Sequence, residues 1–179
     1  MSNIAVIGTG YVGLVTGTCF SDLGNRVVCM DVQHDKIERL RKGIAPIYEP
    51  GLEEMIERNL KAGRLFFTTD YAEALHEAEF VFIAVGTPES EDGSADMRYV
   101  ESAARAIGTH APGRSAEPLV IVNKSTVPIG TGDVVSSLVR EKCPPDFKFS
   151  VVSNPEFLRE GQAILDFLHP DRVVLGSEK

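Results

Sequence analysis

Apolar residues are spaced in two alternating ways along this chain. Continuous apolar runs mark strands buried on both faces. They alternate with stretches whose apolar residues recur three and four apart, the mark of helices packed on one side. Runs of the first kind are Asn3–Ile7, Arg26–Met30, residues 64–68, residues 79–85, Leu119–Asn123 and Phe149–Ser153, with one more short run over residues 172–176. Helices are predicted from the turn after Gly13 through Cys19, over His34–Arg41, from Glu49-Pro50-Gly51 onward (Leu52, Met55, Ile56 and Leu60 inward), and from an Asp70 cap through His76. Further helices are predicted over residues 97–110, with Val100, Ala103, Ala104 and Ile107 inward, and over 131–141. Residues 155–167 read as helical or turn-like, and the polar stretch 86–96 as a loop. Strand–helix alternation of this kind implies an α/β chain with a Rossmann-type, doubly wound, mostly parallel sheet and helices on both faces.

The first strand runs into Gly8-Thr9-Gly10-Tyr11-Val12-Gly13, a helix follows, and Asp31 closes the second strand. That order is the one a dinucleotide site requires. Gly8 allows the tight reversal, Gly10 lets a pyrophosphate approach the backbone, and Gly13 lets the helix pack close. Free N–H groups at the helix start face the phosphates with the positive end of the helix dipole. Asp31 is expected to accept hydrogen bonds from the adenosine ribose and to repel a 2′-phosphate, so the cofactor expected is NAD and not NADP. Arg26 starts the same strand, too far back to hold a 2′-phosphate.

Ligands of such sheets bind outside the carboxyl ends of the strands, where strand order reverses. The fourth strand ends at Gly86-Thr87-Pro88, the fifth at Lys124-Ser125-Thr126 and the sixth at Asn154-Pro155-Glu156, all on the rim that carries the glycine turn. Thr87 reads either as a turn threonine or as a cofactor contact. Ser125 and Thr126 read as ligand-facing groups, with helix capping as the alternative. Lys124 reads as a solvated surface lysine. Glu156 and Glu160 lie four apart and share a face if the stretch is helical; a carboxylate there could orient a water or accept a proton. Arg159 reads as the salt-bridge partner of those two acids.

Composition narrows the function classes. The formal charge is −8, from 26 acidic and 18 basic residues, with no basic run, so nucleic acid is not expected as a partner. No apolar run approaches a membrane span. Cys19, Cys29 and Cys143 are odd in number and scattered, which argues against a disulfide framework. The chain opens directly on a core strand with no room for a signal peptide, so the cytoplasm is expected, and the Asn123-Lys124-Ser125 sequon is accidental. His34, His76, His110 and His169 lack ligand spacing, so no metal site is expected. GxxxxGK[ST] and GxSxG are both absent. A length of 179 residues with 43% hydrophobic content suits one domain with a real core.

Five strings together resemble the NAD-binding domain of the UDP-glucose/GDP-mannose dehydrogenase family. They are residues 7–14 (IGTGYVGL), 48–52 (YEPGL), 85–88 (VGTP), 124–131 (KSTVPIGT) and 154–161 (NPEFLREG). The resemblance implies a four-electron oxidation of a nucleotide-sugar alcohol to a carboxylate with two NAD in turn, through a thioester on a cysteine. It implies NAD contacts at Val12, Asp31, Lys36, Thr87, Thr126 and Glu160, beside the turn Gly8 to Gly13 with Tyr11, and Ser125. It implies nucleotide-sugar contacts along Glu156, Phe157, Leu158, Arg159 and Glu160. Thr126 would position a water or the C6 oxygen, and Glu156 would act as base for thioester hydrolysis. The family's cysteine, with its lysine and asparagine partners, and the central helix through which the family dimerises match nothing here. Residues 1–179 are therefore expected to be one NAD-binding domain, inactive alone. The last strings look more like the UDP-glucose branch than the GDP-mannose branch, with UDP-N-acetylhexosamine relatives as a further alternative. Two rivals are a hydroxyacid-type dehydrogenase, which does not need the 154–161 string, and a free-standing NAD-sensing module.

Overall fold

A computed structural model describes residues 1–113 and 118–177. Six strands are parallel: β1 (Asn3–Ile7), β2 (Arg26–Met30), β3 (Leu65–Thr68), β4 (Phe80–Ile83), β5 (Leu119–Asn123) and β6 (Phe149–Ser153). The short β7 (Gly176–Ser177) closes the edge antiparallel to β6, and the order is β3-β2-β1-β4-β5-β6-β7. Strand order reverses between β1 and β4, as the doubly wound reading requires. The helices are α1 (Tyr11–Asp22), α2 (His34–Arg41), α3 (Leu52–Lys61), α4 (Tyr71–Leu75), α5 (Arg98–His110), α6 (Thr131–Lys142) and α7 (Ala163–Leu168).

Alternation along β1 explains why both faces of the sheet are covered. Ile4 and Val6 point into a cluster with Leu14, Leu52, Ile56 and Ala163, which brings in α1, α3 and α7. Ala5 and Ile7 point the other way, against Leu75, Ala104, Ile107, Val135 and Val139 of α4, α5 and α6. A strand with both faces buried must be apolar throughout, which is why these runs show in the sequence as unbroken blocks. Complete burial of a residue such as Leu14 contributes about 1.5–3 kcal/mol.

Three departures from the sequence expectations matter for the site. The fourth strand pairs only over Phe80–Ile83, so residues 84–86 leave the ladder at the rim. The helix expected over 155–167 is confined to Ala163–Leu168, and residues 154–159 form an irregular strap; Gly161, at φ 83°, turns the chain into α7. The last strand pairs at Gly176–Ser177 and does not include residues 172–175.

Candidate functional site

The glycine turn is built by close approach of backbone to backbone. Gly8 sits at φ 100°, and a Cβ there would lie 2.6 Å from the Ala84 carbonyl oxygen. A Cβ on Gly13 would lie 2.0 Å from the Gly8 carbonyl oxygen, so only glycine lets α1 start this near β1. Gly10 differs: a Cβ there meets nothing within 4 Å. It is the N-cap of α1, supplies no side-chain acceptor, and is followed by no acid in the first turn. The first N–H groups of a helix have no intrahelical acceptor, so this end is open to an anion.

Asp31 follows β2 and is joined to the turn by Thr9. The Thr9 N–H (2.9 Å) and hydroxyl (2.7 Å) and the Lys36 ammonium (3.0 Å) all donate to Asp31 Oδ2. Oδ1 accepts only the Gln33 N–H (3.1 Å) among the described residues, which leaves a lone pair for a ligand hydroxyl. Burial pushes this carboxyl up, but the Thr9, Lys36 and Gln33 bonds outweigh it and hold the group below the ordinary aspartate range. Thr9, which the sequence reading passed over, is fully buried and orients the acid.

A cleft of about 190 Å³ opens beside the turn, lined by Gly10, Tyr11, Val12, residues 84–87, Lys124, Ser125 and Thr126. The mouths of β1, β4 and β5 thus converge. Thr87 donates its hydroxyl to the Thr126 carbonyl (2.8 Å), and Ser125 donates to the Val85 carbonyl (2.8 Å), so both hydroxyls tie the β4 and β5 mouths together. Ser125 does not cap α6; the N-cap there is Gly130. Open space at Gly10, an uncapped helix start and a free acceptor on Asp31 fit a dinucleotide.

A larger cleft of about 670 Å³ lies alongside, lined by residues 154–159, Lys124, Phe20, Leu165, Asp166 and Phe167 of α7, and residues 169–173. Lys124 lines both clefts. It is buried, not solvated as expected, and donates to the Asn154 side-chain oxygen at 3.2 Å. Burial lowers its pKa from the ordinary lysine value, partly opposed by the negative Glu156. Asn154 in turn donates to the Val174 carbonyl (3.0 Å).

Without a helix over 154–159, Glu156 and Glu160 do not share a helical face. Glu156 accepts from the Leu158 N–H at 2.6 Å, while Glu160 is exposed and lines neither cleft. Arg159 pairs with Asp166 (2.6 Å) and not with the glutamates. That pairing drops the Asp166 carboxyl to about 2. Cys19 and Cys29 are core residues, and burial pushes both thiols up to about 12. Among the described residues, no group of three or more His, Cys, Asp or Glu side chains could hold a metal ion, and no helix is long and apolar enough to cross a membrane.

Comparison with known proteins agrees with this geometry. The model for the NAD binding domain of the UDP-glucose/GDP-mannose dehydrogenase family matches residues 2–179. UDP-glucose 6-dehydrogenase TuaD of Bacillus subtilis is 53% identical over 177 residues, 99% of this chain and 38% of the relative. The UDP-glucose 6-dehydrogenase of Pseudomonas aeruginosa is 49% identical over 97% of this chain and 38% of its own length. Among solved structures, a UDP-glucose dehydrogenase from Pyrobaculum islandicum superposes with a TM-score of 0.94 at 51% identity, covering 100% of this chain and 41% of that one. A ternary complex of GDP-mannose dehydrogenase from Pseudomonas aeruginosa gives 0.93 at 39% identity, covering 99% and 41%. The chain therefore spans about two fifths of the length of these relatives.

Proposed function

Because the chain belongs to the UDP-glucose/GDP-mannose dehydrogenase family and matches its NAD-binding domain, we propose that residues 1–179 form one domain that supplies the NAD-binding half of a nucleotide-sugar dehydrogenase, with UDP-glucose as substrate and UDP-glucuronate as product. The observation that carries the reading is the meeting of two clefts at Lys124, one at the glycine turn and one under the Glu156 strap. A dehydrogenase needs cofactor and alcohol side by side, and this rim offers two adjoining spaces that share Lys124. Bound NAD supplies a hydride acceptor. Gly8, Gly10 and Gly13 shape the pyrophosphate seat, with the main chain of Tyr11 and Val12. Asp31 Oδ1 and Lys36 hold the adenosine ribose. Thr87, Ser125 and Thr126 border the nicotinamide end, and Glu160, outside both clefts but near enough to act on the Tyr11 phenol, reaches the cofactor by turning its exposed side chain inward.

In this reading Phe157, Leu158 and Arg159 line the sugar-nucleotide side. Thr126, exposed at the β5 mouth, positions the C6 oxygen or a water. Glu156, partly buried on the larger cleft, accepts a proton from the water that hydrolyses the thioester. UDP-glucose is preferred over GDP-mannose because identity to the UDP-glucose dehydrogenases compared is 49–53%, against 39% to the GDP-mannose enzyme. Cytoplasmic residence and a homodimeric whole protein belong to the same reading.

Titration calorimetry tests the cofactor half. NAD should bind and NADP should bind more weakly. Asp31→Ala should weaken NAD by roughly 1.5–3 kcal/mol, the range for a hydrogen bond to a charged group, and narrow the gap between the two cofactors. Unchanged NAD affinity in the variant would remove the ribose role. In the longer polypeptide of which the family's members are examples, Glu156→Gln should slow thioester hydrolysis more than hydride transfer. A variant that accumulates no covalent intermediate would exclude the base assignment.

A further inference from the structure

The YEPGL string, residues 48–52, has so far been given no task beyond starting α3. Its glutamate is buried, 5% exposed. Glu49 Oε2 accepts the Tyr11 hydroxyl and the Gly161 N–H (2.8 Å), and Oε1 accepts the Ile164 N–H (3.4 Å). The Gly161 N–H also points at the Tyr11 hydroxyl oxygen (3.0 Å). One carboxylate therefore joins the first residue of α1, beside Gly10, to the far end of the strap that carries Glu156. We propose that Glu49 is a positioning residue, which clasps the 154–161 strap to the cofactor turn through Tyr11 and so fixes where Glu156 stands.

Three observations carry this. First, residues 154–159 have no ladder or helix of their own, so side chains from elsewhere must set their path. The near end is held by the Asn154 N–H on the Asn123 carbonyl (2.9 Å) and by Lys124 on the Asn154 side chain. At the far end Arg159 is held by Asp166 (2.6 Å), and two residues on the Gly161 N–H meets Glu49 and Tyr11. Second, a buried carboxylate is costly unless it is bonded. The hydrogen bonds recorded for Glu49 come from a phenol and two backbone amides, with no lysine or arginine, so its bonding is directed at a segment of backbone and not at a counter-ion. Third, the bonds cross 112 and 150 residues of sequence, so they join parts of the fold that no local preference would align. Burial and the Glu49 bond push the Tyr11 phenol up to about 12, so it stays protonated as the donor at neutral pH.

The inference rests on the role given to Glu156, but hydrogen exchange on the chain itself decides it separately. Gly161 and Ile164 amide exchange is measured in the wild type, Glu49→Ala and Glu49→Gln, without and with NAD. In Glu49→Ala these amides should exchange at least about tenfold faster, while amides of β1 and β4 keep their protection. Glu49→Gln retains an acceptor oxygen and should recover part of the loss. NAD should slow exchange at the two amides in the wild type and not in Glu49→Ala, with NAD affinity changed by less than about threefold. Wild-type exchange at Gly161 and Ile164 in the alanine variant overturns the clasp. So does loss of protection across the whole domain in both variants, which would mark Glu49 as part of the general framework. If NAD fails to bind the wild type, the cofactor reading falls, and the ligand-free exchange rates still decide the clasp.

Discussion

Lys124 is the residue whose setting departs most from what its chemistry suggests. It is buried at the end of β5, with one hydrogen bond from its ammonium to Asn154. A buried ammonium with so little compensation is a cost to the fold, because desolvation penalises the charged form. The sign of its pH effect follows from linkage. Its folded pKa lies below the ordinary lysine value, so between the two the unfolded chain holds more protons. Its penalty is therefore full at neutral pH and is relieved as pH rises toward about 10. The thiols of Cys19 and Cys29 work the other way. Their folded values are raised to about 12, and the stability they contribute fades above the ordinary thiol range. Only the difference between wild type and Lys124→Met isolates the lysine. The variant should melt at the same temperature or higher, by roughly 2–4 °C for each kcal/mol recovered in a domain of this size. Its advantage should shrink as pH approaches the lysine range. Thermal melts at neutral and alkaline pH check this, and a variant that melts more than about 5 °C lower would show that the Asn154 bond outweighs desolvation.

At the level of elements, the turn between β1 and α1 separates packing from binding within a single motif. Gly13 is required by the fold, since any Cβ there collides with the Gly8 carbonyl at 2.0 Å. Gly10 is not, since a Cβ there enters open space at an ordinary φ of −68°. Gly13→Ala should therefore cost more than about 2 kcal/mol, as overpacking of backbone against backbone does. Gly10→Ala should leave stability within about 1 kcal/mol of the wild type yet weaken NAD about tenfold or more. Denaturant unfolding beside calorimetry separates the two, and equal affinity in Gly10→Ala would mean that the phosphates lie elsewhere. This turn was legible from the sequence because each part is local: a buried strand, glycines at fixed spacing, a helix and an acid. β1, β2 and β5 were legible for the same reason, as apolar runs buried on both faces, and β6 kept its expected bounds although it is only partly buried. The strap over 154–161 was not. Its path depends on Glu49 and Tyr11, far off in the chain, and Gly161 at φ 83° sets it apart from α7, so the helix starts only at Ala163. Lys124 was misjudged because burial at the meeting of two clefts follows from topology, and a charged residue carries no local mark of it.

For the whole molecule, the three cysteines set a limit on what the chain does by itself. Thioester chemistry needs a thiolate within reach of the rim. Cys19 and Cys29 are buried in the core with thiols held near 12, so neither offers one. Cys143 caps the carboxyl end of α6, a helix of 12 residues that starts near the β5 mouth at Gly130. At 1.5 Å per residue that places it roughly 18 Å along the helix from the rim. None of these three cysteines therefore offers a nucleophile for the acid-forming half of the proposed reaction. Two measurements on one sample express the consequence. NAD at a hundredfold excess over its Kd should stabilise the fold by about 2.7 kcal/mol, and so raise the melting temperature by roughly 5–10 °C. Adding UDP-glucose to the same sample should give no UDP-glucuronate and no sustained NADH. A melting shift without product is the outcome expected of a domain that binds cofactor and supplies no nucleophile of its own. Steady product formation that survives replacement of Cys19, Cys29 and Cys143 by serine would show instead that the rim residues Thr126 and Glu156 carry both oxidations without a thioester.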